Sequence, residues 1–358
     1  MTIPKTARAA VTVNGGTPQF SIDHREDFPV PTPGPGEILL ECKYTGVCQS
    51  DYHAAYGDWQ GLTQAEGVTC LGHEGAGIVR AVGPGVTDFK VGDRAGALVA
   101  ADSCGTCEFC SQDDCALCAK INLTGFHRNG SFAQYINVNT RFAVHIPEGI
   151  PFEQAAPFMC SGGTAYTAVK TTGLKAGQTV AVLGAAGGVG HMVVQFAKAR
   201  GLRVIAIDVG ADKKEATLAT GADEYVDITG TKDLPATVAA LTPDGLGVHG
   251  VIVTAGNGKA YAAGVGILRP RGVFVCVGLP PTGSAIAGAE PAAIIFKAIT
   301  VRGSLLNTVE DMNDALQLLK AGKIKEHVEI RPFAATGQAL ADVGASKTKG
   351  RVVIDFAA

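Results

Sequence analysis

Two spacings of hydrophobic residues divide the chain. Over the first 150 residues or so, short apolar stretches are separated by Pro and Gly: residues 9–13, then 36–43 after Pro31-Thr32-Pro33-Gly34-Pro35, then 77–82. These runs have strand length and predict a β-rich, loop-rich region. From Thr179 onward, apolar runs of strand length alternate with helix-spaced stretches, the pattern of βαβ units around a parallel sheet. The strands fall at 180–183, 203–207, 224–228, 250–254, 272–277 and 300–302, and the helices at 189–200, 213–220, 234–241, 259–268 and 292–298. Six such strands match a doubly wound dinucleotide-binding sheet in count and length. An amphipathic helix at 310–320 and a strand at 351–356 follow. The tail strand is expected to return to the first region. The predicted fold is therefore α/β, with a β-rich domain over 1–160 completed by 304–358 and a doubly wound domain over 161–303.

Composition narrows the picture. At 358 residues with 46% hydrophobic and 18% charged positions, the chain is globular and long enough for two cores. A net charge of -3 without a dense basic run argues against a nucleic-acid partner. The 47 glycines show no three-residue period, so they mark tight turns rather than a collagen-like chain. There is no internal repeat. The first 16 residues contain no apolar stretch of signal-peptide length, and no run of about 18 apolar residues occurs. A soluble cytoplasmic protein with no membrane partner is expected.

Cysteine usage points to chemistry. Five of the ten cysteines lie between Cys104 and Cys118, and without a secretory signal such a cluster indicates metal or thiol chemistry before disulfides. Cys104-x-x-Cys107-x-x-Cys110 followed by Cys118 supplies four thiolates within 15 residues, the donor set of a closed, structural tetrahedral zinc site. Cys115 is an alternative fourth ligand, and an iron–sulfur cluster is an alternative occupant.

The segment 180–190 reads as a buried strand, a glycine turn with Gly184, Gly187, Gly188 and Val189, and the first residue of a helix, Gly190. Glycines there let a pyrophosphate approach the backbone, and the helix N-terminus offers free N–H groups. The strict G-x-G-x-x-G spacing is not met, and a merely tight strand-to-helix turn uses the same residues. Asp208, 18 residues after Gly190 at the end of the next strand, strengthens the nucleotide reading. A carboxylate there accepts ribose hydroxyls and repels a 2′-phosphate, favouring NAD over NADP, with Lys213 close enough to assist.

Three further segments carry potential ligands in turns: Gly46-Val47-Cys48-Gln49-Ser50-Asp51-Tyr52-His53, Gly72-His73-Glu74-Gly75-Ala76-Gly77 and Cys160-Ser161-Gly162-Gly163-Thr164. Taken singly, such cysteines are plain buried thiols and such a histidine a structural one. Together with the cysteine cluster and the nucleotide motif, they resemble the zinc-dependent alcohol dehydrogenases of the medium-chain dehydrogenase/reductase family, the yeast-type members above all. The resemblance runs from Tyr44-Thr45-Gly46-Val47-Cys48 to Gly350-Arg351-Val352-Val353.

The resemblance implies a GroES-like catalytic domain beside the Rossmann domain, two zinc ions per chain, a small alcohol or aldehyde as substrate, and a homo-oligomer, expected to be a tetramer. It implies that Cys48, His73 and Cys160 hold a catalytic zinc, which activates the substrate oxygen as a Lewis acid. Glu74 becomes a transient ligand or a partner behind the ligands, and Asp51 orients His73. Ser50 accepts the substrate's proton and His53 passes it on. Gly187, Gly188 and Val189 then form the pyrophosphate turn, and Asp208 and Lys213 bind the adenosine ribose. Val277, Leu279, Ser304 and Leu306 line the nicotinamide end, Thr164 packs against its ring, and Arg351 reaches a phosphate.

Two departures stand out. Gln49 occupies a position where relatives carry a basic residue against the pyrophosphate, which implies weaker coenzyme binding and faster release. Trp59 matches one wall of the substrate pocket, but Val99 stands where a second tryptophan is expected, implying room for an alcohol larger than ethanol. The alternatives are a zinc-free quinone or enoyl reductase of the same superfamily, disfavoured by the full Cys48, His73 and Cys160 set, and a non-catalytic metal- and NAD-binding protein.

Overall fold

The computed structural model describes residues 2–59, 64–348 and 350–358. The chain divides into two compact units. One comprises the residues up to Gly163 with Leu306–Gly322 and Glu326–Ala358; the other comprises Thr164–Leu305 with Lys323–Lys325.

The second unit is built on a six-stranded sheet in the spatial order Glu224–Asp227, Arg203–Asp208, Thr179–Leu183, Val248–Val253, Leu268–Cys276, Thr300–Gly303. All pairings are parallel. Numbered along the chain this is 3-2-1-4-5-6, the doubly wound order of dinucleotide-binding folds. The central strand Thr179–Leu183 is buried at every position, which explains why it reads as a continuous apolar run rather than an alternating one. Ala181, Leu183, Ile205, Val251, Val253 and Phe274 form the core on one face. The helices lie within two residues of their expected bounds, among them Gly190–Ala199, Leu234–Ala240 and Val309–Lys320, the last belonging to the first unit. The expected helix at 213–220 begins with a 3₁₀ turn, Ala211–Lys213, before the α-helix Lys214–Ala219.

The first unit is organised by the long strand Glu37–Val47. It pairs antiparallel with Gly75–Val82, Tyr135–Asn139 and the C-terminal strand Arg351–Asp355, which places Val353 opposite Gly46. Ile38, Leu40, Val79, Phe126, Phe132, Ile136 and Ile354 fill its core. The strand Ser21–Pro29, which pairs with Thr6–Val13, has no apolar signature because nearly all its residues face solvent. The helix Gln49–Tyr56 is equally silent in the hydrophobic pattern, since its buried positions include Asp51 and His53. A helix that buries polar groups has no reason to show an apolar stripe.

Candidate functional site

Three separate segments meet at one buried point in the first unit. Cys48 caps the N-terminus of the helix Gln49–Tyr56, His73 and Glu74 immediately precede the strand Gly75–Val82, and Cys160 lies between the helices Phe152–Phe158 and Ser161–Thr171. The ligand atoms of Cys48, His73, Glu74 and Cys160 all lie within 4.8 Å of one another. Cys48, His73 and Glu74 are buried and Cys160 half-buried.

Asp51 organises this point. Its Oδ1 accepts the backbone N–H of Gly72 at 3.1 Å and faces His73 Nδ1 at 3.0 Å, while Oδ2 accepts the N–H of Cys48 at 3.0 Å. A carboxylate only accepts, so Nδ1 carries a proton, and Nε2 is the nitrogen left to act as a ligand once it is deprotonated. Burial opposes a charge on His73, but the Asp51 carboxylate outweighs it and holds the imidazole well above its usual range. The hydrogen bond from the Cys160 thiol, followed by His73, holds Cys48 well below the usual thiol range.

Glu74 has no exposed surface and pairs with Arg351 of the C-terminal strand, itself buried. Burial pushes Glu74 up to about 8, against the pull of Arg351. Its other oxygen, Oε2, has no hydrogen-bond partner and lies where a Cβ on Gly46 would be, 1.8 Å away. The chain thus keeps a glycine under an unpartnered buried carboxylate oxygen. Two thiolates, an imidazole and a carboxylate oxygen form the donor set that zinc takes, so these residues fit the metal. The guanidinium of Arg351, expected at a phosphate of the coenzyme, engages Glu74 inside this unit through Nη2, while its Nε has no hydrogen-bond partner.

Ser50 Oγ lies 3.7 Å from Cys48 Sγ. His53 lies one turn further along the helix, with Nδ1 2.7 Å from Asp58 Oδ1 and Nε2 3.4 Å from the Gln49 amide. Its ring stacks on Trp59, centroids 4.5 Å apart at 22°. Trp59 is buried, whereas Val99 lies buried between the strands Arg94–Ala97 and Ala100–Asp102, its carbonyl accepting the N–H of Thr124. Sequence reasoning missed Asp58; the signal was in Gly57-Asp58-Trp59, where a helix-ending glycine turns the chain back on itself.

The second cluster is local. The sulfurs of Cys104, Cys107, Cys110 and Cys118 lie within 4.8 Å of one another. Cys104 Sγ receives the N–H of Cys107 at 3.3 Å, and Cys118 Sγ that of Lys120 at 3.4 Å. Backbone N–H groups of Thr106 and then Cys107 pull the Cys104 thiol down to about 6. Cys115 stands outside this group, its sulfur 3.6 Å from Arg141 Nη2. Of the two candidates for the fourth donor, it is Cys118 that joins the other three. Four soft thiolates again fit zinc. All ten cysteines are free thiols.

In the second unit the glycine turn follows the central strand. Gly184 has φ +86, and a Cβ on Gly190 would stand 2.0 Å from the Gly184 carbonyl oxygen, so only glycine lets strand and helix come this close. Gly187, Gly188 and Val189 lie in this turn, immediately before the helix Gly190–Ala199. Asp208 ends the neighbouring strand, accepts the N–H groups of Ala186 and Val209, and pairs with Lys213 Nζ at 2.9 Å. The carboxylate and ammonium expected at a ribose are thus side by side next to the turn. Val277 and Ser304 are neighbours at the C-terminal ends of adjacent strands, the Ser304 N–H bonding to Cys276. Leu279 is half exposed, Thr164 lies in the helix Ser161–Thr171, and Leu306, with a left-handed φ of 53, falls in the first unit.

Comparison with known proteins adds to this geometry. A family model described as an alcohol dehydrogenase GroES-like domain matches residues 34–148, and one described as a zinc-binding dehydrogenase matches residues 188–321. Alcohol dehydrogenase 1 of Emericella nidulans is 39% identical over 356 residues, covering 99% of both chains. Alcohol dehydrogenase 1 of Neurospora crassa is 40% identical over 357 residues, covering 99% of this chain and 98% of the relative. A solved NAD-dependent alcohol dehydrogenase is similar with a TM-score of 0.86 at 28% identity, over 97% of this chain and 99% of the other.

Proposed function

The chain belongs to the zinc-dependent alcohol dehydrogenases of the medium-chain dehydrogenase/reductase family, and within that activity we propose that it uses NAD, holds two zinc ions and prefers a primary or secondary alcohol bulkier than ethanol. The observation that carries the reading is the meeting of Cys48, His73 and Cys160, drawn from three segments, at one buried point. These three would hold the catalytic ion, with Glu74 as an exchangeable fourth donor, and Cys104, Cys107, Cys110 and Cys118 would hold the structural one. When bound, zinc supplies a Lewis acid at the substrate oxygen and the nicotinamide a two-electron acceptor.

The chain's own groups do the rest. Asp51 keeps His73 oriented through Nδ1. Ser50 Oγ, beside Cys48, takes the substrate's hydroxyl proton, and His53 receives it. Gly187, Gly188 and Val189 give the pyrophosphate free N–H groups, and the Asp208 carboxylate accepts the ribose hydroxyls while repelling a 2′-phosphate. Trp59 walls the pocket, and Val99 leaves room opposite it.

Self-association is supported by the outer strand Thr300–Gly303, exposed at every residue, next in sequence to a helix with Ile295 71% and Phe296 87% exposed. An uncovered edge strand flanked by apolar side chains is a natural pairing surface, and we assign the assembly as a tetramer. Ten free thiols support a reducing compartment such as the cytoplasm. Among the described residues no helix is long and apolar enough to cross a membrane.

The test combines metal analysis with NADH formation for ethanol and a graded series of longer, branched and aromatic alcohols. Two zinc ions per chain, NAD preferred over NADP and faster turnover of the bulky alcohols are expected. Ethanol turnover that declines with chain length overturns the enlarged pocket, and a zinc-free protein reducing quinones or enones supports the rival reductase.

A further inference from the structure

We propose that Tyr225 and Asp227 are positioning residues of the coenzyme's adenosine-ribose subsite. From the strand Glu224–Asp227 they hold the peptide groups on both sides of Gly210, and so fix the loop that sets Lys213 against Asp208 and keeps the subsite fitted to a ribose without a 2′-phosphate. This rests on the reading of Asp208 and Lys213 as the ribose residues, and gives a role to two residues that had none.

The loop needs such a hold. Asp208 ends its strand, and only Val209 and Gly210 separate it from the 3₁₀ turn Ala211–Lys213. Val209 is 53% exposed, and Ala211, Asp212 and Lys213 are exposed as well, so hydrogen bonds rather than apolar packing set the path of the chain here. Lys213 Nζ lies 2.9 Å from Asp208 Oδ1, but the lysine side chain is 45% exposed. Ion pairs of that kind contribute little of their own, so the ammonium stays where the backbone puts it.

The neighbouring strand supplies the hold. Asp227 stands opposite Asp208 in the parallel register, and the Ile228 N–H bonds to the Asp208 carbonyl at 3.0 Å. Two residues further along the loop, the Gly210 N–H donates to Asp227 Oδ1 at 3.0 Å, and the Tyr225 hydroxyl donates to the Gly210 carbonyl at 2.6 Å. Two consecutive peptide units are thereby fixed, with Gly210 at φ 93 and ψ 134, a conformation open to glycine alone. Asp227 is itself anchored, since the same Oδ1 accepts the Thr229 N–H at 3.0 Å and its hydroxyl at 2.6 Å. Burial, followed by the charges of Asp208, Asp227 and Asp212, pushes the Tyr225 hydroxyl up to about 12, so it remains a donor at neutral pH.

The clamp bears on which coenzyme fits. Asp208 Oδ2 accepts the Ala186 N–H of the glycine turn at 2.9 Å, while Oδ1 faces Lys213. With the loop held, neither the carboxylate nor the ammonium has the freedom to rearrange around a 2′-phosphate. With the loop released, Lys213 can leave Asp208 and pair with one. Tyr225 and Asp227 act on the coenzyme only through this loop.

The test uses the zinc-loaded full chain, with its fold checked by circular dichroism. Binding of adenosine monophosphate, which carries the adenosine half of the coenzyme alone, is measured by calorimetry beside steady-state kinetics with NAD and NADP. Tyr225→Phe and Asp227→Ala should each weaken adenosine monophosphate and raise the KM for NAD by about 3–10-fold, the size of one lost hydrogen bond, without lowering kcat. The preference for NAD over NADP in kcat/KM should fall by a similar factor. Asp227→Asn, which keeps an acceptor oxygen, should stay within about 2-fold of wild type. Asp208→Ala tests the underlying reading. Weaker adenosine monophosphate in Asp208→Ala, with Tyr225→Phe and Asp227→Ala unchanged, overturns the proposal and leaves Asp208 in its role. Unchanged binding in Asp208→Ala overturns that role and the proposal with it. Should Asp227→Ala fail to fold, Tyr225→Phe decides alone.

Discussion

The two cysteine clusters are built from similar atoms by opposite means. The knuckle takes four sulfurs from 15 consecutive residues and steadies them with backbone N–H groups from its own loop. The buried site takes its donors from residues 48, 73, 74 and 160 and steadies them with Asp51 and Arg351, two buried charges. The first is closed by identical soft donors, whereas the second includes a carboxylate whose other oxygen is tied to an arginine. A structural ion needs only local spacing. A reactive one needs the folded chain to bring unlike donors together and set their protonation, which is why charges are spent behind it.

Substitutions can break this comparison. Cys160→Ala should lower alcohol oxidation by about 10³-fold or more, because several kcal/mol of charge stabilisation at the substrate oxygen is lost. It should keep one zinc, the fold and NAD binding, measured by metal analysis and coenzyme titration; an active Cys160→Ala would remove the basis of the contrast. Cys107→Ala should do the reverse, melting early or aggregating while its folded fraction still turns over, since a structural metal adds folding energy directly. Arg351→Met sharpens the point about buried charge. It leaves Glu74, already pushed up to about 8 by burial, without its partner, and denaturant unfolding above that pH should register a loss of about 3–5 kcal/mol, smaller below it where the carboxyl is protonated, with the knuckle's zinc retained. The smallest effect is expected from Cys115→Ser, which should shift stability by less than about 0.5 kcal/mol and leave the zinc content unchanged. A lost equivalent of zinc there would make Cys115, not Cys118, the fourth ligand.

The doubly wound sheet was legible because its inner strands are short and largely apolar, as in Thr179–Leu183 and Val248–Val253. The knuckle was legible for the same local reason. The buried site was not: nothing in the spacing of Cys48, His73 and Cys160 says that they meet, and only the family resemblance suggested it. The Arg351 pairing with Glu74 lay beyond sequence reasoning because it joins residues 277 positions apart. Asp58 was missed although only five residues from His53, because its place depends on the left-handed turn at Gly57. The helix Gln49–Tyr56 was hidden by its own burden, since polar residues that must be buried for chemistry erase the periodicity that announces a helix.

The pairing of Glu74 with Arg351 also bears on how the protein is made. At ~5–20 residues per second of synthesis, the arginine reaches the tunnel ~14–55 s after the glutamate it neutralises. During that interval the nascent first unit lacks the strand Arg351–Asp355 against Glu37–Val47 and has a carboxylate it cannot bury. The parallel sheet, contiguous in sequence, is complete well before. The buried cluster of Cys48, His73 and Glu74 therefore cannot close until the strand Arg351–Asp355 is made, and that strand acts as its bolt.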